Sequence, residues 1–247
     1  MGHIKQENLR MKELKCWGLV PASGIGYRLG SAIPKQYINL LGKPLICHTL
    51  DTLINCKYLS GIIVGISKQD RYWKKIVENK VKVLSTYYGG SSRAETVQRG
   101  LQFMETYVRD EDHVLIHDAV RPCVRLSDIE KLIMASREGD AGAILAVKAV
   151  DTIKKGGETG LRSFVRETIP RKNLWHAQTP QVFPYKILRD AFEIADIKNI
   201  SDESSVMEEA GHKPHLVAGH SDNIKVTTAV DLDLAKVILS ERYGEDL

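Results

Sequence analysis

Short apolar runs along the chain alternate with segments whose apolar residues recur every three or four positions. Trp17–Ala22, Gly61–Ser67, Val81–Tyr88, His113–Ala119 and Ala141–Ala149 read as strands. Their hydrophobicity is partly continuous rather than alternating, as expected of strands covered on both faces. Between them, Ile46, Leu50, Leu53 and Ile54 fall at i, i+4, i+7 and i+8, and Val97, Leu101 and Met104 at i, i+4 and i+7. Each set makes one helical stripe. Ser92 with Glu95 and Ser127 with Glu130 match the capping box and predict two helix starts. Gly139 and Gly211 stand where a helix end needs left-handed backbone. The sum is an α/β fold, a doubly wound, mostly parallel sheet with right-handed crossovers.

One stretch breaks the rhythm. Asp151 to Lys172 holds a lysine pair, two adjacent glycines and a proline, with no helical face. A structureless loop of about 20 residues inside a compact domain is unusual and generally serves a function. A protruding β-hairpin arm over about residues 150–173, pairing with a second subunit, is the reading preferred over a plain surface loop. Residues 1–15 read as a disordered N-terminal tail and 16–247 as a single domain.

Composition narrows the class. At 247 residues, such a chain buries roughly 70–75% of the surface its unfolded form exposes. No apolar run reaches the length of about 18 residues that would suggest a membrane span, so no membrane partner is expected. The polar N-terminus lacks the apolar core of a secretory signal. The net charge of +4, from 35 basic and 31 acidic residues, comes without a basic block, which speaks against nucleic acid. Cys16, Cys47, Cys56 and Cys123 are scattered without a CxxC pair, so disulfides and zinc are not expected and a reducing cytoplasm is the natural setting.

The candidate chemistry begins after the first strand, with Pro21-Ala22-Ser23-Gly24-Ile25-Gly26-Tyr27-Arg28-Leu29-Gly30 and then Pro34-Lys35-Gln36-Tyr37. Ligands of open α/β sheets bind beyond the carboxyl ends of strands. Glycines let backbone N–H groups approach phosphate oxygens, and Arg28 and Lys35 add fixed positive charge. The loop is not a P-loop, because no Gly-Lys-Ser/Thr follows, and Gly30 falls one residue late for GxGxxG. His117-Asp118-Ala119-Val120-Arg121-Pro122 closes another strand. A carboxylate there suits Mg²⁺ or a nucleotide ribose, or else caps a helix.

The run from Pro21 to Leu41 resembles the signature loop of the sugar-phosphate nucleotidyltransferases, in their cytidylyltransferase branch, and the likeness extends over about residues 16–240. The resemblance implies the Rossmann-like nucleotidyltransferase fold. It also implies a reaction that passes the cytidylyl group of CTP to a polyol phosphate and releases pyrophosphate, with a divalent cation, Mg²⁺, on the triphosphate. By the same likeness, Arg28, Lys35 and Lys225 are catalytic cations. Pro21, Ala22, Ser23, Gly24, Gly26, Gly90, Ser91, Thr96, Asp118 and Ala119 are implied to bind CTP, with Asp118 at the metal. Ser91 stands where many relatives carry an acidic residue. Arg121, Thr179 and Ser201 are implied to serve the acceptor, joined by Thr152 and Arg171 from the arm of a partner subunit. On that pattern the active site belongs to a homodimer.

Within the same resemblance, Trp175-His176-Ala177 before Gln178, and Ala119 within HDAVRP, are similar to the branch that implies 2-C-methyl-D-erythritol 4-phosphate rather than D-ribitol 5-phosphate as acceptor. A UDP-sugar glycosyltransferase would show a DxD metal motif. Asp231-Leu232-Asp233 matches that string but falls in an apparent helix. A nucleotide-binding regulator without catalysis is a further alternative, opposed by the joint presence of Lys35, Asp118 and Lys225. None of the eight histidines has metal or base spacing.

Overall fold

The computed structural model describes residues 14–24, 33–76, 82–159 and 162–244. The predicted tail, apart from Leu14 and Lys15, therefore lies outside the described residues. Lys15 is already tied in, its N–H donating to Asp112 at 3.1 Å and its carbonyl accepting from His113 N at 2.8 Å.

The strands are β1 (Cys16–Pro21), β2 (Asn39–Leu40), β3 (Lys43–Pro44), β4 (Leu59–Ile66), β5 (Val83–Tyr88), β6 (His113–Ile116), β7 (Ala143–Lys148), β8 (Ile153–Thr159), β9 (Arg162–Ile169), β10 (Trp175–Pro184) and β11 (His215–Ala218). The helices are α1 (Leu45–Asn55), α2 (Arg93–Met104), α3 (Leu126–Ser136), α4 (Tyr185–Ile194), α5 (Glu203–Glu209) and α6 (Ala229–Tyr243). Seven strands form the main sheet in the order β11-β7-β10-β6-β1-β4-β5. β1 runs parallel to both β4 and β6, with Leu19 opposite Ile63 on one side and Ile116 on the other.

Both faces are covered, which is why the strands read as near-continuous apolar runs. Ile46, Leu50 and Leu53 of α1 join Ile129, Leu132 and Ile133 of α3 on one core. Val97, Leu101 and Met104 of α2 join Leu188 and Phe192 of α4 and Met207 of α5 on the other. Both predicted stripes face the sheet. A smaller third core sets Ala235 and Leu239 of α6 against Leu40, Leu45, Val120 and Val226.

Sequence pattern and structure part in four places. β10 is antiparallel to both β6 and β7, and neither it nor β11 was foreseen. The strand expected to reach Ala119 stops at Ile116, and residues 119–120 form a turn. α3 is capped by Arg125 without a side-chain bond, and Ser127 lies inside the helix, so the Ser127–Glu130 box does not form. The described glycines with left-handed φ are Gly42, Gly142, Gly211 and Gly244, so Gly211 is as expected (φ +87°) while Gly139 is not among them.

The Ser92 cap does form, its hydroxyl accepting from Glu95 N at 3.1 Å. The irregular stretch is a hairpin of its own, β8 paired with β9 from Ile153↔Ile169 to Thr159↔Arg162. Asp231 sits in the first turn of α6, capped reciprocally with Thr228, so the DxD string is helix start.

Candidate active site

Strand order reverses around β1, since β4 lies to one side and β6 to the other. That switch point opens a crevice at the carboxyl ends of the strands. A cavity of about 410 Å³ occupies it, lined by Pro21 to Gly24, by Lys35 and Gln36, by Gly90 to Arg93 with Thr96, by Asp118 to Val120 and by Lys225. Among the predicted CTP residues, Pro21, Ala22, Ser23, Gly24, Gly90, Ser91, Thr96, Asp118 and Ala119 all line it, as do the predicted catalytic Lys35 and Lys225. Gly26 and Arg28 lie outside the described residues.

The glycine segment is braced from below. Gln36, 3% exposed, donates from Nε2 to Ala22 O at 2.8 Å and Gly24 O at 3.0 Å. Pro34 sets extended backbone ahead of a 3₁₀ turn, Lys35–Tyr37, which presents Lys35 at the cavity while Gln36 and Tyr37 turn inward. The β2–β3 turn has positive φ at both central residues, Leu41 (48°) and Gly42 (80°). That is the twist of a primed hairpin turn. Leu45 N then bonds Ile38 O at 2.9 Å and closes the segment.

Thr96 stitches two loops together. Its hydroxyl donates to Ser92 O at 2.8 Å, and accepts from Gly90 N at 3.1 Å and from Ser23 Oγ at 2.7 Å. One donor and two acceptor sites are all that a threonine hydroxyl offers. The implied CTP contact of Thr96 thus meets a hydroxyl engaged within the protein, and its placement is that of a brace. Ser91 N and Oγ both donate to Glu95 Oε2 at 2.7 Å.

Asp118 is the centre of the electrostatics. It is 5% exposed. Arg93 Nε reaches its Oδ1 at 2.6 Å, Lys225 Nζ its Oδ2 at 2.8 Å, and Arg121 Nε stands 3.8 Å from Oδ2. Burial works against the charged form, yet Arg93 and Lys225 outweigh it and hold the carboxyl well below the usual carboxylate range. Arg93 is gripped from its other edge by Glu203, 0% exposed, through NH1 at 2.6 Å and NH2 at 3.1 Å.

The turn carrying Asp118 is itself supported. Thr179 Oγ1 accepts from Asp118 N at 3.1 Å and lies 3.0 Å from His117 Nδ1. His117 Nε2 faces Arg121 O at 3.3 Å, which assigns the proton to Nε2 and makes Nδ1 the acceptor of the Thr179 hydroxyl. Burial pushes the His117 pKa down to about 3, so the ring is neutral. Arg121 NH1 donates to Asn223 O at 2.7 Å, and Val226 N to Val120 O at 2.9 Å. These bonds fix the loop that carries Lys225.

The predicted acceptor residues are dispersed. Arg121 and Thr179 stand behind Asp118. Ser201 lines a neighbouring cleft of about 510 Å³ that shares Ser91, Ser92 and Arg93 with the first. Thr152 and Arg171 lie at the base of the arm, exposed and away from this cavity, with Arg171 donating to Val150 O. A larger cleft of about 680 Å³ beside α6 includes Arg125 and Arg242, both paired with Asp222. Sequence reasoning missed Gln36, Arg93 and Glu203 as working residues. The first two were visible inside PKQY and GGSSRAET, while Glu203 looked like an ordinary first-turn acid.

Among the described residues no group of three or more His, Cys, Asp or Glu could hold a metal. Asp118 is the one carboxylate among the described lining residues. That fits a hard cation of the Mg²⁺ kind, which takes one or two protein carboxylates and finds its other ligands on substrate phosphates and water.

A glycine-loop cavity at the switch point, lined by lysine, arginine and one carboxylate, suits the phosphates of a nucleotide and is the kind of site a nucleotidyltransferase needs. Comparison with known proteins gives the branch. The family model described as 2-C-methyl-D-erythritol 4-phosphate cytidylyltransferase matches residues 17–241. Relatives bearing that name include one from Hahella chejuensis, 39% identical over 238 residues and covering 96% of this chain and 98% of its own. Another, from Haemophilus influenzae, is 43% identical over 225 residues, covering 90% and 95%.

Among solved structures, a 4-diphosphocytidyl-2C-methyl-D-erythritol synthase superposes with a TM-score of 0.80 at 30% identity, over 92% of this chain and 99% of the other. The Francisella tularensis 2-C-methyl-D-erythritol 4-phosphate cytidylyltransferase gives 0.76 at 32%, over 91% and 99%. The chain belongs to the 2-C-methyl-D-erythritol 4-phosphate cytidylyltransferase family and is a CTP-dependent nucleotidyltransferase.

Proposed function

We propose that the chain transfers the cytidylyl group of CTP to 2-C-methyl-D-erythritol 4-phosphate in isoprenoid precursor synthesis, giving the 4-diphosphocytidyl product and pyrophosphate. The observation that carries the residue assignment is the convergence of Lys35, Asp118 and Lys225 on one glycine-walled cavity. An oxygen of the acceptor phosphate attacks the α-phosphorus in line, and the bond to the bridging oxygen of pyrophosphate breaks. A phosphate monoester is anionic near neutral pH, so no protein base is required. Lys35 and Lys225, with Arg28, stabilise the charge that grows on the α-phosphate oxygens. Mg²⁺, held by the triphosphate and Asp118, would neutralise charge on the leaving group.

The arm supports a homodimer. A free two-stranded hairpin is marginal in water, and this one exposes Phe164 at 50% and Val165 at 61%. Docking on a second copy would cover them and bring Thr152 and Arg171 to the other subunit's acceptor site. The cytoplasm is the proposed location. No helix among the described residues is long and apolar enough to cross a membrane.

Pyrophosphate release from CTP and Mg²⁺ tests the reading, with 2-C-methyl-D-erythritol 4-phosphate and D-ribitol 5-phosphate as rival acceptors. Turnover with the former alone is expected. Turnover with ribitol phosphate would move the acceptor assignment while keeping the chemistry, and silence with both would leave a nucleotide-binding protein without catalysis.

A further inference from the structure

Glu203 is the most deeply buried carboxylate near the cavity, and nothing in the chemistry of cytidylyl transfer calls for it. Its side chain is fully enclosed, and both oxygens are taken by the terminal nitrogens of Arg93. A carboxylate is enclosed in this way only when a fixed partner repays the loss of water. Arg93 in turn spends its remaining inner nitrogen on Asp118 Oδ1, which leaves Oδ2 turned to Lys225. The order Glu203, Arg93, Asp118, Lys225 alternates in sign. It joins the first turn of α5 to the loop before α6 across residues 110, 25 and 107 positions apart in sequence.

We infer that Glu203 is a positioning residue for the transfer reaction, acting through Arg93 to fix Asp118 and thereby Lys225. A guanidinium held by a bidentate carboxylate has one orientation. Its Nε–H therefore points along one line, and the carboxylate of Asp118 is set by it. Without Glu203, Arg93 is free to swing towards the incoming triphosphate, taking Asp118 with it. Glu203 also cancels the charge of Arg93, so the charge at the α-phosphate is left to Lys35, Lys225 and Arg28 rather than to Arg93. The inference rests on the cytidylyl transfer proposed above, which wild-type turnover in the same assay tests separately.

The test is steady-state kinetics on Glu203→Gln, Arg93→Gln and the double variant, with fold checked by circular dichroism and rates taken per folded active site. Glu203→Gln keeps the shape and loses the charge. Its kcat is expected to fall about 10–100-fold, as for outer groups that orient a working ligand. KM for CTP should stay within about threefold, because the glycine loop and Lys35 are untouched. In the Arg93→Gln background, Glu203→Gln should cause no further loss, since its route is already cut.

A Glu203→Gln kcat within about twofold of wild type, with only the melting temperature lowered, would reduce the residue to a structural part and overturn the inference. Additive losses in the double variant would overturn the route through Arg93. The double variant leaves no buried unpaired charge and decides the matter if a single variant fails to fold. Wild-type kcat in it overturns the assignment, and the loss seen in Arg93→Gln supports it.

Discussion

Gly89 tests whether the two loops that wall the nucleotide cavity are held at a fixed spacing. A Cβ there would lie 2.5 Å from both Cβ and Oγ of Ser23 and 2.8 Å from Thr96 Cγ2. Neither neighbour has room to yield. Ser23 sits between two carbonyls clamped by Gln36, and Thr96 is held by its own helix and by Gly90. Gly89→Ala must therefore push the loops apart, and overpacking of this kind costs about 1–3 kcal/mol. At about 2 kcal/mol, and about 2–4 °C per kcal/mol for a chain this size, the melting temperature should drop by ~4–8 °C.

The larger effect falls on turnover. Displacing a substrate-positioning segment by about 1 Å costs on the order of 100-fold in rate. The assay is pyrophosphate release at saturating acceptor, run beside a thermal melt. Ser23→Gly removes the two closest atoms and leaves Thr96 Cγ2 at 2.8 Å, so adding it to Gly89→Ala should recover part of the lost kcat/KM relative to Ser23→Gly alone. Wild-type kcat/KM in Gly89→Ala would refute the fixed spacing. Failure of Ser23→Gly to relieve the defect would refute Ser23 as the obstacle.

Two further outcomes are expected of the same structure. Lys35→Ala should raise the barrier by about 2.7–4 kcal/mol, the loss seen when one preorganised donor to transition-state charge is removed; single-turnover rates check it, and a near-wild-type rate would remove Lys35 from the chemistry. Asp112 is buried, which opposes its charge. Bonds from Arg109, Trp17 Nε1 and Lys15 N nonetheless hold its pKa below the ordinary value. A carboxylate depressed in the folded state adds stability above its unfolded pKa of about 3.9 and loses it as pH falls towards the folded value. Melts between about pH 3 and 7 should thus show Asp112→Ala less stable at neutral pH and less sensitive to acid than wild type. Parallel curves for the two proteins would contradict the assignment.

How much was legible in the sequence differs by element. The buried strands announced themselves because a strand covered on both faces must be apolar throughout, and the stripes of α1 and α2 because a helix on a sheet needs one apolar side. β10 was hidden by Gln178, Thr179 and Gln181, polar residues in the middle of a strand. They are buried because each finds a partner. Gln178 Nε2 donates to His220 O at 3.0 Å, Thr179 supports Asp118, and Gln181 Oε1 accepts from Ser204 N at 2.9 Å. Those partners are remote in sequence, so no local pattern reveals them. The site divides in the same way. Lys35, Asp118 and Lys225 stand in short motifs and were found. The pairing of Arg93 with Glu203 spans 110 positions, and the acid's place beside a helix cap offered an adequate local reason for it.

One buried carboxylate in the cavity and a second behind Arg93 look contrary to the binding of a polyanion until the charges are placed. Arg93 and Arg121 cluster with Lys225 around Asp118, and Lys35 lines the same cavity. Left alone, like charges repel, take several rotamers and spread into solvent, and a triphosphate would have to collect them at binding. Asp118 and Glu203 each bind cations into one arrangement before substrate arrives. On the proposed reaction they would reduce the total attraction for CTP, which uniform binding alone would not convert into rate. On that reaction the field at the α-phosphate would in return be shaped in advance, with no reorganisation needed at the moment of transfer. The same reasoning explains why the turn under Asp118 uses a neutral histidine. A charged His117 would add a cation behind the carboxylate and pull it from Lys225, whereas the buried ring, with one nitrogen donating and the other accepting, supplies hydrogen bonds without charge.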